Sequence, residues 1–397
     1  MSKNILFLTT KYPFPPDDGG KIDSLTNLHI LAKNFNVFLF YIGKKHNEEV
    51  FQKKGIHLCG IYHYRKETGN NISGLFKNLF CRFPYTIKKY YDDKIYIEIE
   101  KIISDKKIDI TYTDHLHMAF YGKLINKHFP EIKLILREHN AEYIFWKRIY
   151  KEENNIFKKL LFWWQFLKIL NYEREITSIF DRCFMISSID QMNLKKINPD
   201  VKAQVISTGI DIQNYQISQP GKIIPFSMLY MGDFSWLPNL KGIVWFLTKV
   251  WPETKKLFPK AKIFIVGKKP PTDILRYQNN DIIVTGYVKD VKPWIDKSEI
   301  FLVPLFSGGG IRIKILEAMA IGKPIISTPV GAEGIDVENK KNILIAGNEE
   351  DFIKSIKILF NNKEIRENLA KNSIKLIKDK YSFKAIERNI CSIIKDF

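Results

Sequence analysis

The sequence predicts an α/β protein of two doubly wound, Rossmann-like domains facing each other across a cleft. Three observations carry this. A chain of 397 residues is long for one hydrophobic core. Short β-rich apolar runs alternate with helical patterns, the signature of parallel sheets covered on both faces. The alternation then starts afresh after a proline- and glycine-bearing connection at residues 217–225.

Taken in order, residues 4–10 form an apolar run that ends at Pro13, Pro15 and Pro16. Asp17, Asp18, Gly19 and Gly20 follow, and then a helical pattern through Leu25, Leu28, Leu31 and Ala32, so the chain opens as strand, glycine loop and helix. Residues 37–42, 109–113, 133–136 and 183–186 predict further buried strands. After the restart, 228–231, 262–266, 281–284, 300–303 and 324–327 repeat the pattern, with helices expected at 239–250 and 311–320. A lysine-rich helical pair at 350–380 and a last helix at 382–397 complete the chain. The expected division is 1–215, 222–378, and a helix within 379–397 that packs back on the first domain. Two such sheets bind ligands beyond the carboxyl ends of their strands.

Composition excludes several classes. Hydrophobic residues make up 45% and charged residues 26%, as in ordinary globular domains. Cys59, Cys81, Cys183 and Cys391 are scattered without zinc-site spacing, which suits a reducing, cytoplasmic setting. The first ten residues are too briefly apolar for a signal segment, and the most apolar window, 160–170, is broken by Gln165 and Lys168, so no spanning helix is expected. The net charge of +19 is spread evenly, with 33 basic against 24 acidic residues over 1–218 and 29 against 19 over 219–397. A lysine-rich solvated surface explains it, and no nucleic-acid recognition motif accompanies it. The stretch 144–170 mixes Trp146, Trp163 and Trp164 with Lys147, Arg148, Lys158 and Lys159. Aromatics facing the core of a long helix explain it, and so does peripheral contact with the anionic inner face of a plasma membrane. A glycine fingerprint for nicotinamide or flavin is missing after the first strand.

The strongest chemical signal is Ser307, Gly308, Gly309, Gly310, Ile311, Arg312, followed by Lys314 and Glu317. A strand runs into three glycines and then a helix, so unhindered amides and the positive end of the helix dipole meet at one point, an anion site. Lys314 and Glu317, three apart, share a helix face. Lys314 suits a phosphate, and Glu317 suits ribose hydroxyls, as an acidic residue does in dinucleotide folds. The plain alternative, a loop before an exposed helix face, leaves the entropic cost of three glycines without a purpose.

This segment resembles the donor-binding motif of the family-4 retaining glycosyltransferases of GT-B architecture, in their triple-glycine branch. Thr285, Gly286, Tyr287 and Val288 resemble the family's loop beside the nucleobase, and Gly331, Ala332, Glu333 and Gly334 its later glycine turn. Gly232 through Asn239 resembles the opening of the second domain, Ser207 through Asp211 the inter-domain signature, and Gly19-Gly20 the glycine loop of the first domain. Many relatives carry a second glutamate where Gly309 stands, so sugar choice does not carry over. Asp233 stands where a basic residue often follows the first glycine, leaving more phosphate charge to Lys314, Arg312 and Lys241. The family's first-domain histidine is matched by His115 or by Asp114. Arg137 through Glu142 resembles a His-Asn-x-Glu element, with Glu138 or His139 as general base for an acceptor hydroxyl; a capped helix start equally explains Asn140 and Glu142.

The resemblance implies transfer of a sugar from a nucleotide-sugar donor to a glycan or lipid-linked acceptor, with retention, in cell-surface polysaccharide synthesis. No cofactor is implied, since the nucleotide sugar is a substrate. No Asp-x-Asp pair occurs, and metal dependence is not expected. A nucleotide-sugar epimerase and a non-catalytic nucleotide-binding partner of another transferase are the rival expectations.

Overall fold

A computed structural model describes residues 2–69, 72–215 and 223–397. Residues 217–222 of the expected connection lie outside them. The described chain divides into two compact units, one of Met1–Gly209 with Ile386–Phe397 and one of Ile210–Ala385.

The first unit is built on seven parallel strands: β1 (Asn4–Thr9), β2 (Asn36–Ile42), β3 (Gly60–Tyr64), β4 (Ile110–Asp114), β5 (Lys133–Glu138), β6 (Arg182–Met185) and β7 (Ala203–Val205). Their order is β3-β2-β1-β4-β5-β6-β7. The order reverses between β1 and β4, which defines a switch point. Register pairs Leu8 with Thr113 there. Alternate side chains of β1 feed two cores, Leu6 and Leu8 on one face and Ile5 and Phe7 on the other. Five of these strands were legible as apolar runs. β3 and β7 were not, because β3 carries His63 among half-exposed neighbours and β7 is three residues long.

Helix α1 (Gly19–Asn34) follows β1, its amide at Lys21 capped by Asp18 at 2.8 Å. Two later helices form a packed hairpin, α2 (Glu142–Glu152) and α3 (Ile156–Thr177), the second capped by Asn155. No helix of the described residues is long and apolar enough to cross a membrane.

The second unit has six parallel strands, β8 (Ser227–Met231), β9 (Lys262–Val266), β10 (Ile282–Gly286), β11 (Ile300–Val303), β12 (Ile325–Ser327) and β13 (Leu344–Ile345), in the order β10-β9-β8-β11-β12-β13. Its switch point lies between β8 and β11. Both faces are again buried, Met228 and Tyr230 in one core and Leu229 in the other. The helix expected at 239–250 is α-helical only over Leu237–Trp245 and widens to a π-turn at Phe246–Val250. Pro252, which has no amide to donate, follows at once. Helix α4 (Ile313–Ile321) follows β11 and ends on Gly322 in the left-handed conformation.

The chain closes with α5 (Phe383–Lys395). Ile386, Ile390 and Ile394, one face at a spacing of four, are buried in the core that holds Ile5, Phe7, Val37 and Leu39. Each such burial stabilises by about 1.5–3 kcal/mol. Glu387 on the same helix accepts from Lys33 at 3.0 Å and Asn34 at 2.9 Å.

Candidate active site

Each sheet places polar side chains at its switch point, where the loops leaving two strands diverge and a crevice opens. In the second unit the loop after β11 carries the three glycines. Gly308 has φ 108° and Gly310 φ 78°, conformations a side chain rarely adopts. A Cβ on Gly308 would lie 2.6 Å from the ring of Trp236. The loop is shaped by Arg312, whose guanidinium donates to the carbonyls of Gly309 and Gly310. Arg312 is the N-cap residue of α4 rather than part of it, and only 7% exposed. Its observed partners make it a brace for the loop, where the sequence suggested a phosphate ligand.

Lys314 stands in the first turn of α4. Its Nζ donates to the carbonyl of Met231, at the end of β8, at 2.7 Å and to Asn239 Oδ1 at 3.1 Å. Burial, reinforced by the nearby Arg312 charge, lowers its pKa to about 7. Glu317 lies one turn on, and its Oε1 accepts from the Tyr215 hydroxyl at 2.7 Å. Burial pushes that carboxyl up, against the pull of Tyr215, Lys292 and Lys314. Gly232 sits beneath, where a Cβ would come within 2.9 Å of the Asn239 side chain. Tyr287, just after β10, is 67% exposed, with Lys268 Nζ 5.5 Å above its ring. Ile311 and Val288 are half-buried at the loop edges. Gly232, Gly308–Gly310, Lys314 and Glu317 therefore gather at one switch point. Tyr215 and Asn239, their partners, carried no chemical signal in the sequence.

In the first unit Asp114 ends β4 and is fully buried. Its carboxylate accepts from Thr9 at 2.8 Å and Ser24 at 2.5 Å, and meets His139 Nε2 at 2.7 Å. Burial alone would raise its pKa, yet the His115 and His139 imidazoles and these hydrogen bonds hold it well below the usual carboxylate range. Burial would likewise lower His139, and Asp114 outweighs it, so His139 keeps its proton above the ordinary histidine range. His115 stacks on His139 with ring centroids 3.8 Å apart. Burial and the His139 charge lower its pKa to about 4, so it is neutral at pH 7. Its Nε2 is buried without a hydrogen-bond partner, and its backbone has φ 75°, a strained value for a residue with a side chain. Gly20 lies against it, since a Cβ there would be 3.5 Å from His115 Cε1; Gly19 opens the same turn. Beneath, Asp23 is clasped by Arg137 at 2.7 and 2.8 Å, both fully buried. Asp23, Ser24 and Thr9 were not singled out by the sequence, although two polar residues on the inward face of α1 were a legible oddity.

Glu138 does not join this group. Successive strand residues point to opposite faces, so Arg137 faces Asp23 and Glu138 faces the other way, toward Glu173 of α3. Glu138 is 1% exposed, and neither oxygen meets a fixed donor. Glu173 accepts the amides of Glu142 and Tyr143 at 3.0 and 2.8 Å and so caps α2, while burial raises its own pKa to about 8. Burial and the adjacent Glu173 also raise Glu138 far above its usual range. The expected base at Glu138 is thus a buried acid without access to an acceptor. The cap expected of Asn140 is supplied by Glu173, across thirty residues of chain, while the N-cap residue Ala141 makes no side-chain cap. Glu142 is half-buried, and burial raises its pKa to about 7 against the pull of His139 and Lys89.

Among the described residues, Asp114, His115 and His139 form the one group whose ligand atoms lie close enough, within 4.8 Å of one another, to hold a metal ion. Asp114 already accepts two hydroxyls and an imidazole, so an ion would have to displace the His139 proton.

Residues 225–362 match the family described as glycosyl transferases group 1. This match, within the second unit, bears out the expected enzyme class, a glycosyltransferase. Over 402 aligned residues the chain is 25% identical to an uncharacterized 44.6 kDa protein in the cps region of Klebsiella pneumoniae, covering 97% of this chain and 98% of that one. It is 24% identical to an uncharacterized glycosyltransferase of Methanocaldococcus jannaschii, over 73% of this chain and 75% of the relative. The solved structure of Anabaena HepE in complex with UDP aligns with TM-score 0.70 and 13% identity, over 99% of this chain and 100% of HepE. HepE has also been solved with UDP-glucose. The likeness bears out the predicted pair of doubly wound α/β domains of GT-B type.

Proposed function

We propose that this chain transfers a sugar from a nucleotide-sugar donor to a glycan or glycolipid acceptor, with retention of configuration, in the assembly of a cell-surface polysaccharide. The observation that supports it most is the convergence at one switch point of a glycine loop with two left-handed residues, a lysine bonded to the Met231 carbonyl and a half-buried glutamate held by Tyr215. In this reading the Gly308–Gly310 amides and Lys314 take the diphosphate, Glu317 takes the ribose hydroxyls, and the exposed Tyr287 ring stacks on the base. Loop amides at a helix N-terminus cost nothing to reorganise when charge develops, which is why such donors favour a transition state.

The bond between the sugar C1 and the diphosphate oxygen breaks, its electron pair leaving with the diphosphate, where Lys314 and the α4 dipole stabilise the charge. The acceptor oxygen bonds to C1 on the same face. Its proton passes to the departing oxygen, the base that retention places nearest. In the first unit, the unpartnered Nε2 of His115 accepts from a sugar hydroxyl, while Asp114 and His139 hold that ring in place. The first unit takes the acceptor, with Glu142 at its accessible edge.

The relative in a cps region and the UDP and UDP-glucose complexes of HepE make uridine nucleotides the first donors to try. Thermal stabilisation by a panel of nucleotide sugars, followed by a transfer assay with labelled donor, tests the reading. Stabilisation by none of them would remove it.

A further inference from the structure

Helix α3 carries large apolar side chains on more than one face over its first four turns, with Lys158, Lys159 and Lys168 among them. Only one side is buried. Leu161, Gln165, Ile169, Tyr172 and Ile176 face the core, whereas Phe157 is 79% exposed and Leu160, Trp163 and Trp164 stand outward beside it. Trp164 Nε1 donates to the carbonyl of Leu79 at 3.2 Å, and Lys168 Nζ donates to that of Asn78 at 2.5 Å. These bonds fix the turn Asn78–Phe80 against α3; Phe80 in that turn is 96% exposed, and Phe76, four residues before it, is 55% exposed. Solvated monomers rarely keep so many large aromatics together in water without a partner.

Basic side chains outnumber acidic ones around the patch, with Glu152 and Glu153 in the turn that precedes α3. Residues 72–91 hold Lys77, Arg82, Lys88 and Lys89 and no acidic residue, and residues 156–172 hold Lys158, Lys159 and Lys168 and no acidic residue. A second copy of the chain would bring the same positive charge to the same face, so self-association is opposed. Lipid headgroups of negative charge complement it, and Trp and Phe settle at the boundary between headgroups and acyl chains. We propose that the outer face of α3, with Phe80 in the turn held against it, docks on an anionic lipid bilayer. The inference does not rest on the transferase reading, because vesicle binding is measured with no sugar donor present.

The test is flotation of the full chain with vesicles of phosphatidylcholine alone or mixed with phosphatidylglycerol. The protein is expected to float with the mixed vesicles only, and to be released as salt screens the attraction. The double variant Phe157→Gln, Trp163→Gln is expected to lower the partition coefficient by about tenfold or more. Lys158→Glu with Lys159→Glu should act in the same direction. All four side chains lie outside the core, so unchanged melting curves will show that the variants are folded. Failure of the wild type to bind anionic vesicles, or binding by the aromatic variant equal to wild type, overturns the proposal. A dimer in solution that the aromatic variant dissolves overturns it too, in favour of a second copy.

Discussion

The hydroxyl of Tyr215 donates to Glu317 Oε1 at 2.7 Å, so the carboxylate assigned to the donor's ribose is already held in orientation before any ligand arrives. Preorganisation of this kind reduces the ordering cost of binding. Glu317→Gln is expected to weaken nucleotide-sugar binding by about 1–3 kcal/mol, since a charged acceptor becomes a neutral one. Tyr215→Phe should cost less, about 0.5–1.5 kcal/mol, because it removes the orienting bond and leaves the ligand's own bonds. Titration calorimetry of both variants measures this ordering. Equal affinities for wild type and Glu317→Gln would end the ribose assignment.

The proposed role of Lys314 predicts that the donor's affinity depends on pH. Burial and Arg312 bring its pKa to about 7, so the free protein carries the ammonium below that pH and loses it above. A diphosphate prefers the charged form. Affinity should therefore be greatest below pH 7 and fall by up to about tenfold per pH unit above it, until the raised pKa of the complex is passed. Lys314→Met should bind more weakly at pH 6 and show a flat profile between pH 6 and 9. A wild-type dissociation constant that does not vary across that interval would contradict the assignment.

The fold was legible because parallel sheets covered on both faces leave near-continuous apolar runs, and ten of the thirteen strands announced themselves in that way. β3, β7 and β13 did not, being half-exposed or two to three residues long. The grouping of Gly308–Gly310, Lys314 and Glu317 was legible because the loop and the two side chains lie within ten residues. Their supports were not: Tyr215 and Asn239 reach Glu317 and Lys314 from 102 and 75 residues away. The same holds for Glu138, whose partner Glu173 lies on another element. Sequence shows a glutamate beside a histidine and cannot show that strand alternation turns the two apart.

That alternation has a measurable consequence for stability. Glu138 keeps its proton in the folded state far above the pH at which an unfolded glutamate, pKa 4.5, loses it. Between those two values the folded state binds more protons, so its stability falls as pH rises. Glu138→Gln keeps a donor toward Glu173 and removes the titration. The variant should match wild type near pH 4.5 and be more stable at pH 8, by on the order of 1–3 kcal/mol. Chemical denaturation at the two pH values decides it; a variant less stable than wild type at pH 8 would show that Glu138 is not held protonated.

Asp114 has the geometry of a metal ligand and the hydrogen bonds of an orienting group, and the two roles are separable. Thr9, Ser24 and His139 together engage three of about four acceptor positions on the carboxylate, and the buried negative charge raises the pKa of His139. A cation would compete with that proton and with the two hydroxyls at once. Exhaustive chelation is therefore expected to leave turnover and melting temperature unchanged. Asp114→Asn should instead lower the pKa of His139, since burial is then opposed by Asp23 alone, and reduce turnover by about 10–100-fold through loss of ring orientation. The imidazole titration, followed by NMR, reads the first effect independently of activity. Turnover that chelation abolishes and added zinc restores would reassign Asp114, His115 and His139 as a metal centre.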